Sequence, residues 1–209
     1  MTPLSCFFAF FPALQMAAIG LAFAAWVRSP STAGFGWILA SIYGLPLAVY
    51  HILNRVFPIR EGASYLDREQ FVPWWAAHQT QAVLNAAPQF EAPLRLVPGA
   101  YSAWLRLWGS RIGAGVYWTA AAEVIDRDLL EIGEGAIIGA KATFCAHVVN
   151  PGKRGLLLYV KRIRVGEGAF LSASTRFGPG AEVARGAFVP LNADVFPNER
   201  VAPEAAHVG

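Results

Sequence analysis

The chain has 209 residues, is 55% hydrophobic and only 15% charged, and carries a formal net charge of +3. That length suits one domain and a second small element, and the composition is displaced from the soluble average toward a membrane protein. The mild basic excess lacks the base-stacking aromatics and recognition motifs of a nucleic-acid binder, so no nucleic-acid partner is expected. The two cysteines, Cys6 and Cys145, fall in very different regions. A disulfide is therefore not expected, which fits a reducing compartment.

The apolar excess sits at the front. Residues 4–27 contain no Asp, Glu, Lys or Arg, and neither do residues 33–53, with Arg28 and a short SPSTAG linker between them. Each run matches the roughly 20 residues that cross a bilayer. Residues 1–60 thus read as a two-helix transmembrane hairpin, with Trp26, Trp37, Tyr43 and Tyr50 as interface or packing aromatics. A cleaved signal peptide competes for the first run, because Ala-Phe-Ala at 22–24 resembles a cleavage site. Against it stand the missing basic n-region, the length of the run and the second run that follows at once. Arg55 and Arg60 follow the second span, whereas the loop holds only Arg28. This favours a multi-pass protein of the cytoplasmic (inner) membrane, with its C-terminal part facing the cytoplasm.

Residues 61–110 have neither long apolar runs nor a short repeat, and read as an amphipathic helical connector. One segment carries Tyr65, Phe71, Trp74 and Trp75, interrupted at Pro73; a later short helix offers Tyr101, Trp104, Leu105 and Trp108. Such helices suit the plane of a membrane interface and the surrounding lipids. They equally suit the end of a β-domain whose strand edges need cover.

From Ile112 the chain counts in sixes. Hexads begin at Ile112, Trp118, Ile132, Ile138, Phe144, Val165, Leu171, Phe177, Val183 and Val189, with a two-residue slip at 126–129. The fifth residue of each is small or β-branched, as in Val116, Ala136, Ala169 and Ala187. A fixed short period of this kind marks a β-helix whose stacked coils bury a common core. Apolar spacings of three and four, the α-helical signature, are missing. The period predicts an all-β parallel β-helix of about four coils over 111–200, followed by a tail at 201–209.

His147 stands inside the hexad FCAHVV, immediately before the register breaks. From Phe144 to Val165 is 21 residues. Tyr159–Arg164 is a candidate in-register hexad, which leaves a loop at 150–158. Loops extruded from a rigid scaffold are where sites are built. Between Glu134 and Glu167 there is no acidic residue, yet the interval holds Lys141, Lys153, Arg154, Lys161, Arg162 and Arg164. Such a basic stretch suits a phosphate-bearing ligand or an acidic carrier protein; solvated basic residues or anionic lipid head groups are the alternatives. Of the other histidines, His51 ends the second span, His78 sits in the aromatic segment and His207 in the tail. Cys145, two residues before His147, permits a Cys–His nucleophile, although small buried cysteines are common.

The hexads around the slip DRDLLEIGEGAIIG, the break after FCAHVV and the resumption RVGEGAFLSASTRFGPGAEVARGAFV resemble the hexapeptide-repeat, left-handed β-helix acyltransferases. The order of membrane spans, PWW segment, AYSAWLRLWGSRIGAGVYW and hexads is similar to the membrane-bound terminal units of poly-lysine-synthetase-like nonribosomal peptide synthetases. The resemblance covers about residues 35–195 and implies a left-handed coil and a homotrimer. It also implies acyl transfer from an acyl-CoA or phosphopantetheinyl carrier-protein thioester to an amine or hydroxyl, with no bound cofactor. It carries the general base onto His147. Lys153, Lys161 and Arg162 become the phosphate grip, Ser172 and Ser174 line the donor channel, and Asn150 lies on the acceptor side. The peptide-synthetase units carry acidic residues after the His, where this chain has VVNPGKRG, so the acceptor is open. A γ-class carbonic anhydrase would need three histidine ligands, and only His147 lies in the coils, so no metal is expected. The other alternative is an inactive, membrane-anchored scaffold that organises a biosynthetic complex.

Overall fold

The structure, a computed structural model, describes residues 2–66, 69–153 and 155–203. Arg154, His207 and the rest of the tail from 204 lie outside them. The chain divides into two compact units, Met1–Arg60 with Leu66–Phe90, and Glu61–Tyr65 with Glu91–Gly209. This division cuts the 61–110 connector in two, because its aromatic helices pack on different partners.

In the first unit, helix α1 spans Pro3–Arg28. Thr2 caps it, its hydroxyl accepting from the Ser5 N–H at 3.1 Å, and Pro3 opens the first turn, where no N–H is needed. Ser31 caps the second span in the same way, from Gly34 at 3.0 Å. That span runs as α2 (Thr32–Leu39), a π-turn (Ala40–Gly44) and α3 (Leu45–Val56). The irregular turn has a local cause. Pro46 has no N–H to give the carbonyl four residues back, and the fully buried Gln15 of α1 supplies a donor instead. Its amide reaches the Ile42 and Ser41 carbonyls at 3.3 and 3.4 Å. Helix α4 (Pro73–Ala86) packs against α1 and α3, burying Trp74, Ala76, Ala77, Val83 and Leu84. Both spans are long and apolar enough to cross a membrane, and only 17% and 22% of their most apolar windows is buried.

The second unit is the coil. Short strands at 111–112, 130–132, 163–165, 182–183 and 200–201 pair in parallel as one sheet. Strands at 117–118, 137–138, 170–171 and 188–189 form a second parallel sheet. A third is built from those at 123–124, 143–144, 176–177 and 194–195. Each residue pairs with its equivalent one coil away, for example Ile112 with Ile132 and Ile138 with Leu171. The result is a three-sided parallel β-helix. The repeat runs further than the hexads read from sequence, since Arg200–Val201 is still a coil strand. First-position residues such as Ile138, Phe144 and Leu171 and position-five alanines such as Ala136, Ala142, Ala169 and Ala187 are buried. Phe144 and Phe177 stack at 4.9 Å within this core.

The hexads place large side chains on the outside in three unlike columns. One is a charge ladder, Arg111–Glu131–Arg164–Glu182–Arg200, in which opposite signs face each other one coil apart. The second is apolar (Tyr117, Ile137, Phe170, Phe188) and the third polar (Glu123, Thr143, Arg176, Asp194).

Helix α5 (Ala92–Leu96) and helix α6 (Ala100–Leu107) belong to this unit. Helix α6 covers the first coil. Arg106 donates to the Ile112 and Gly113 carbonyls at 2.8 and 2.9 Å, and the Trp118 indole N–H to Ser102 at 2.9 Å. Among the two roles open for the connector, capping the coil is therefore the one α6 fills. Beneath it Glu91 is fully buried and accepts from Arg127 at 2.7 and 2.8 Å and from the Trp104 indole at 2.6 Å.

Coil stacking leaves no room for a side chain at Gly133. A Cβ on Gly133 would lie 2.3 Å from the Glu167 nitrogen, a backbone atom that cannot yield. Gly133→Ala is expected to destabilise the protein by roughly 2 kcal/mol or more. Gly20→Ala, which meets no atom within 4 Å, serves as the control. Thermal unfolding in detergent checks both; equal midpoints would show that the coils are not in close register.

Candidate active site

The register break after Phe144 is a β-hairpin, not a loop. Strands His147–Gly152 and Gly155–Val160 pair antiparallel, from His147 opposite Val160 out to Gly152 opposite Gly155. Gly62–Leu66 lines the outer edge of the second strand. The candidate hexad at Tyr159 is thereby corrected. Tyr159 and Val160 complete the hairpin, whose base closes through Lys161 N–H to Ala146 C=O at 2.9 Å, and the coil resumes at Ile163.

His147 is the first residue of this hairpin, where it leaves the corner between the third and first sheets. Its Nδ1 lies 2.7 Å from Asp126 Oδ2, and the side chains are 16% and 2% exposed. The same carboxylate oxygen accepts from the Ala146 N–H at 2.8 Å. Asp126 comes from the two-residue slip one coil away. The slip bulges inward, so Asp126, Arg127 and Asp128 are all buried. With Nδ1–H donating to Asp126, the neutral ring carries its lone pair on Nε2. Burial alone lowers the basicity of His147, but the Asp126 hydrogen bond, the contact with Cys145 and the Asp126 charge outweigh it, and the pKa is pushed up to about 10. Cys145 Sγ stands 3.6 Å from Nδ1 and 3.9 Å from Nε2, and its thiol donates to the His147 carbonyl at 3.3 Å. Chemically this is an oriented imidazole base with a carboxylate behind it and a thiol beside it.

The structure disperses much of the expected phosphate grip. Arg162 donates to the Leu130 carbonyl at 3.1 Å and lies 3.7 Å from Glu61. Arg164 sits between Glu131 and Glu182 at 3.6 and 3.3 Å. The interval is free of acids only in sequence, because acids from other coils meet its cations. Lys161 lies at the hairpin base and donates to Asn198 Oδ1 at 2.8 Å, an oxygen that Tyr159 OH also reaches at 2.8 Å. Lys153 is exposed at the hairpin tip, about 20 Å along the strand from His147, and Asn150 is exposed partway out. Ser172 and Ser174 belong to the turn between the second and third sheets, one corner away from His147. Ser174 takes a left-handed backbone there (φ 58°) and donates its N–H to the Ala140 carbonyl. Asp126 went unnoticed as a partner in the sequence, although the slip that carries it was visible.

No protein-family profile and no curated protein matches the chain. Among solved structures it is similar to a hexapeptide-repeat-containing acetyltransferase from Vibrio cholerae, with 14% identity over 57% of this chain and 85% of that one, TM-score 0.36. A serine acetyltransferase isoform 3 from Entamoeba histolytica, solved in complex with cysteine, aligns at 11% identity over 80% and 72%, TM-score 0.31. A maltose O-acetyltransferase from Clostridium difficile 630 aligns at 11% over 56% and 82%, TM-score 0.28.

The dyad predicts a pH signature. Because the folded pKa of His147 lies above its ordinary value of 6.5, its contribution to stability is complete below about pH 6.5. That contribution is lost as pH rises toward 10. In Asp126→Asn, where burial acts without the charge, the His147 titration should move down by more than one unit. Histidine ring NMR against pH measures this; an unchanged midpoint would remove Asp126 as the cause.

Proposed function

We propose that this chain is a membrane-anchored hexapeptide-repeat acyltransferase with a left-handed coil, working as a homotrimer. It moves an acyl or aminoacyl group from a CoA or carrier-protein thioester to an amine or hydroxyl. The observation that carries the reading is the His147–Asp126 pair at the point where the hairpin leaves the coil. A base must be held in one tautomer with Nε2 presented to the attacking group, and a buried carboxylate on Nδ1 does that.

In the reaction Nε2 removes the proton of the acceptor as its nitrogen or oxygen attacks the thioester carbonyl. The imidazolium, stabilised by Asp126, then protonates the departing thiol. Lys161, at the hairpin base, is the cation of this chain placed to meet a donor phosphate near His147. Lys153 and Asn150, out along the hairpin, would meet a donor or acceptor held by a neighbouring subunit. The two N-terminal spans would hold the coil at the cytoplasmic face of the inner membrane, beside a lipid-linked, amphiphilic or exported substrate. The likeness in element order to peptide-synthetase terminal units makes an aminoacyl carrier protein a donor to be tested beside CoA.

The test is thioester turnover by the full chain in detergent, with acyl-CoAs and aminoacyl-carrier proteins offered to pooled amines and alcohols. His147→Ala is expected to lower turnover at least ~100-fold. The wild-type rate should rise with pH across the neutral range, since only the deprotonated ring serves as base. Equal rates in wild type and mutant would remove His147 from the mechanism. No turnover in either would favour the inactive scaffold.

A further inference from the structure

We propose that the cavity under the elbow between α5 and α6 binds a long-chain carboxylate, its head against Arg95 and Tyr101 and its apolar tail leaving across Leu96, Val97 and Tyr117. The site is separate from His147 and does not depend on the acyltransfer reading.

The cavity, of about 660 Å³, lies between this elbow and the first coil, and its size suits a small ligand. Its depth holds charge. The Arg95 side chain is only 3% exposed, and its guanidinium carbon sits 4.0 Å over the ring of the buried Tyr101. Arg95 is nevertheless short of a counter-charge. Glu91, four residues back, gives its oxygens to both prongs of Arg127 and to the Trp104 indole. It lies 3.7 Å from Arg95, beyond hydrogen-bond reach. Two buried guanidinium groups thus share this one carboxylate. A buried charge is costly unless it is paired and hydrogen-bonded, so the arrangement calls for a second anion.

The free donors say which anion. Among the described residues, the polar side chains lining the cavity are Arg95, Tyr101, Ser102 and Arg106. Ser102 accepts from Trp118, and Arg106 donates to two backbone carbonyls. Arg95 Nε and the Tyr101 hydroxyl are buried with no hydrogen-bond partner. Burial above all, helped by the Glu91 charge, pushes the Tyr101 pKa up, so the hydroxyl keeps its proton. Two donors then match the two oxygens of one carboxylate. A phosphodiester lipid would bring further head-group atoms that find no partner here. A nucleotide would bring more negative charge than one unmatched guanidinium can meet.

The tail follows from the rim. Leu96, Val97 and Tyr117 line the cavity and are 76%, 58% and 61% exposed. Tyr117 also begins the apolar column that continues through Ile137, Phe170 and Phe188. An apolar strip leading out of a charged cavity fits one molecule with a small anionic head and a long chain.

Dodecanoate bearing a diazirine in its tail is photolysed with the full chain in a maltoside detergent, and the labelled peptides are mapped. Label is expected on the peptides that hold Leu96, Val97 and Tyr117. Unlabelled dodecanoate should displace it roughly tenfold better than dodecanol, about the worth of one charge-assisted hydrogen bond. Arg95→Gln should erase that preference. Tyr101→Phe deletes the hydroxyl and keeps the ring, and should reduce the preference, which gives a reading even where Arg95→Gln does not fold. His147→Ala should label like the wild type, so this site and the acyltransfer reading stand or fall apart. Equal displacement by dodecanol overturns the anionic head, and label confined to the N-terminal spans overturns the site. Stronger displacement by phosphatidylglycerol than by dodecanoate overturns the carboxylate.

Discussion

The coil depends on what happens in the two extra residues between Val124 and Leu130. A regular coil has no room for buried charge, yet Asp126, Arg127 and Asp128 are all buried there. Arg127 turns toward the cap and forms a two-pronged pair with Glu91, while Asp126 turns toward His147 and the Ala146 N–H. Ser110 stitches the bulge down, donating to the Arg127 carbonyl at 2.7 Å and accepting from the Leu130 N–H at 2.9 Å. Removing one partner of such a buried pair typically costs 3–5 kcal/mol because the other charge is stranded. The same short irregularity therefore ties the cap to the coil and orients the His147 ring.

This coupling explains why a site can sit at the root of the hairpin. A histidine at the start of a mobile excursion would be poorly oriented. Here the excursion begins only after Ala146 has been fixed by Asp126 on one side and by Lys161 on the other. The hairpin itself is a strand pair with full antiparallel register from His147 to Gly155, so its base is part of the scaffold.

The coil was legible because its physics is local and periodic. Each regular hexad must put an apolar residue inward and a small one at the tight fifth position, as Ile132 with Ala136 and Ile138 with Ala142 do. The hairpin was half legible. Loss of register after His147 was plain, but the in-register look of Tyr159–Arg164 hid the strand pairing, since apolar residues such as Leu158 and Val160 fit either structure. The connector boundaries were not legible, because aromatic content in Trp74 and in Trp104 says nothing about which body each helix buries against. The Asp126 partnership was least legible: it joins residues 21 apart in sequence through a bulge that breaks the very period used to read the fold.

Charge shows the same limit and bears on how the donor is chosen. In sequence, Lys141 to Arg164 is an uninterrupted basic interval. In the coil, a regular turn brings residues 18 apart into contact, or 33 apart where the hairpin intervenes, so Glu131 and Glu182 flank Arg164, and Arg185 meets Glu167. Cations spent on such a ladder cannot also draw a phosphate. Lys161, at the hairpin base, is outside that ladder but is itself hydrogen-bonded to Asn198. In the reaction we propose, a single lysine would give a thioester donor weak electrostatic purchase and little discrimination between CoA and a carrier-protein phosphopantetheine, which share the same arm and differ in what lies beyond it. In that reaction, selectivity between them would have to come from the shape of the surface around the hairpin, the part of the molecule whose sequence has no periodic constraint.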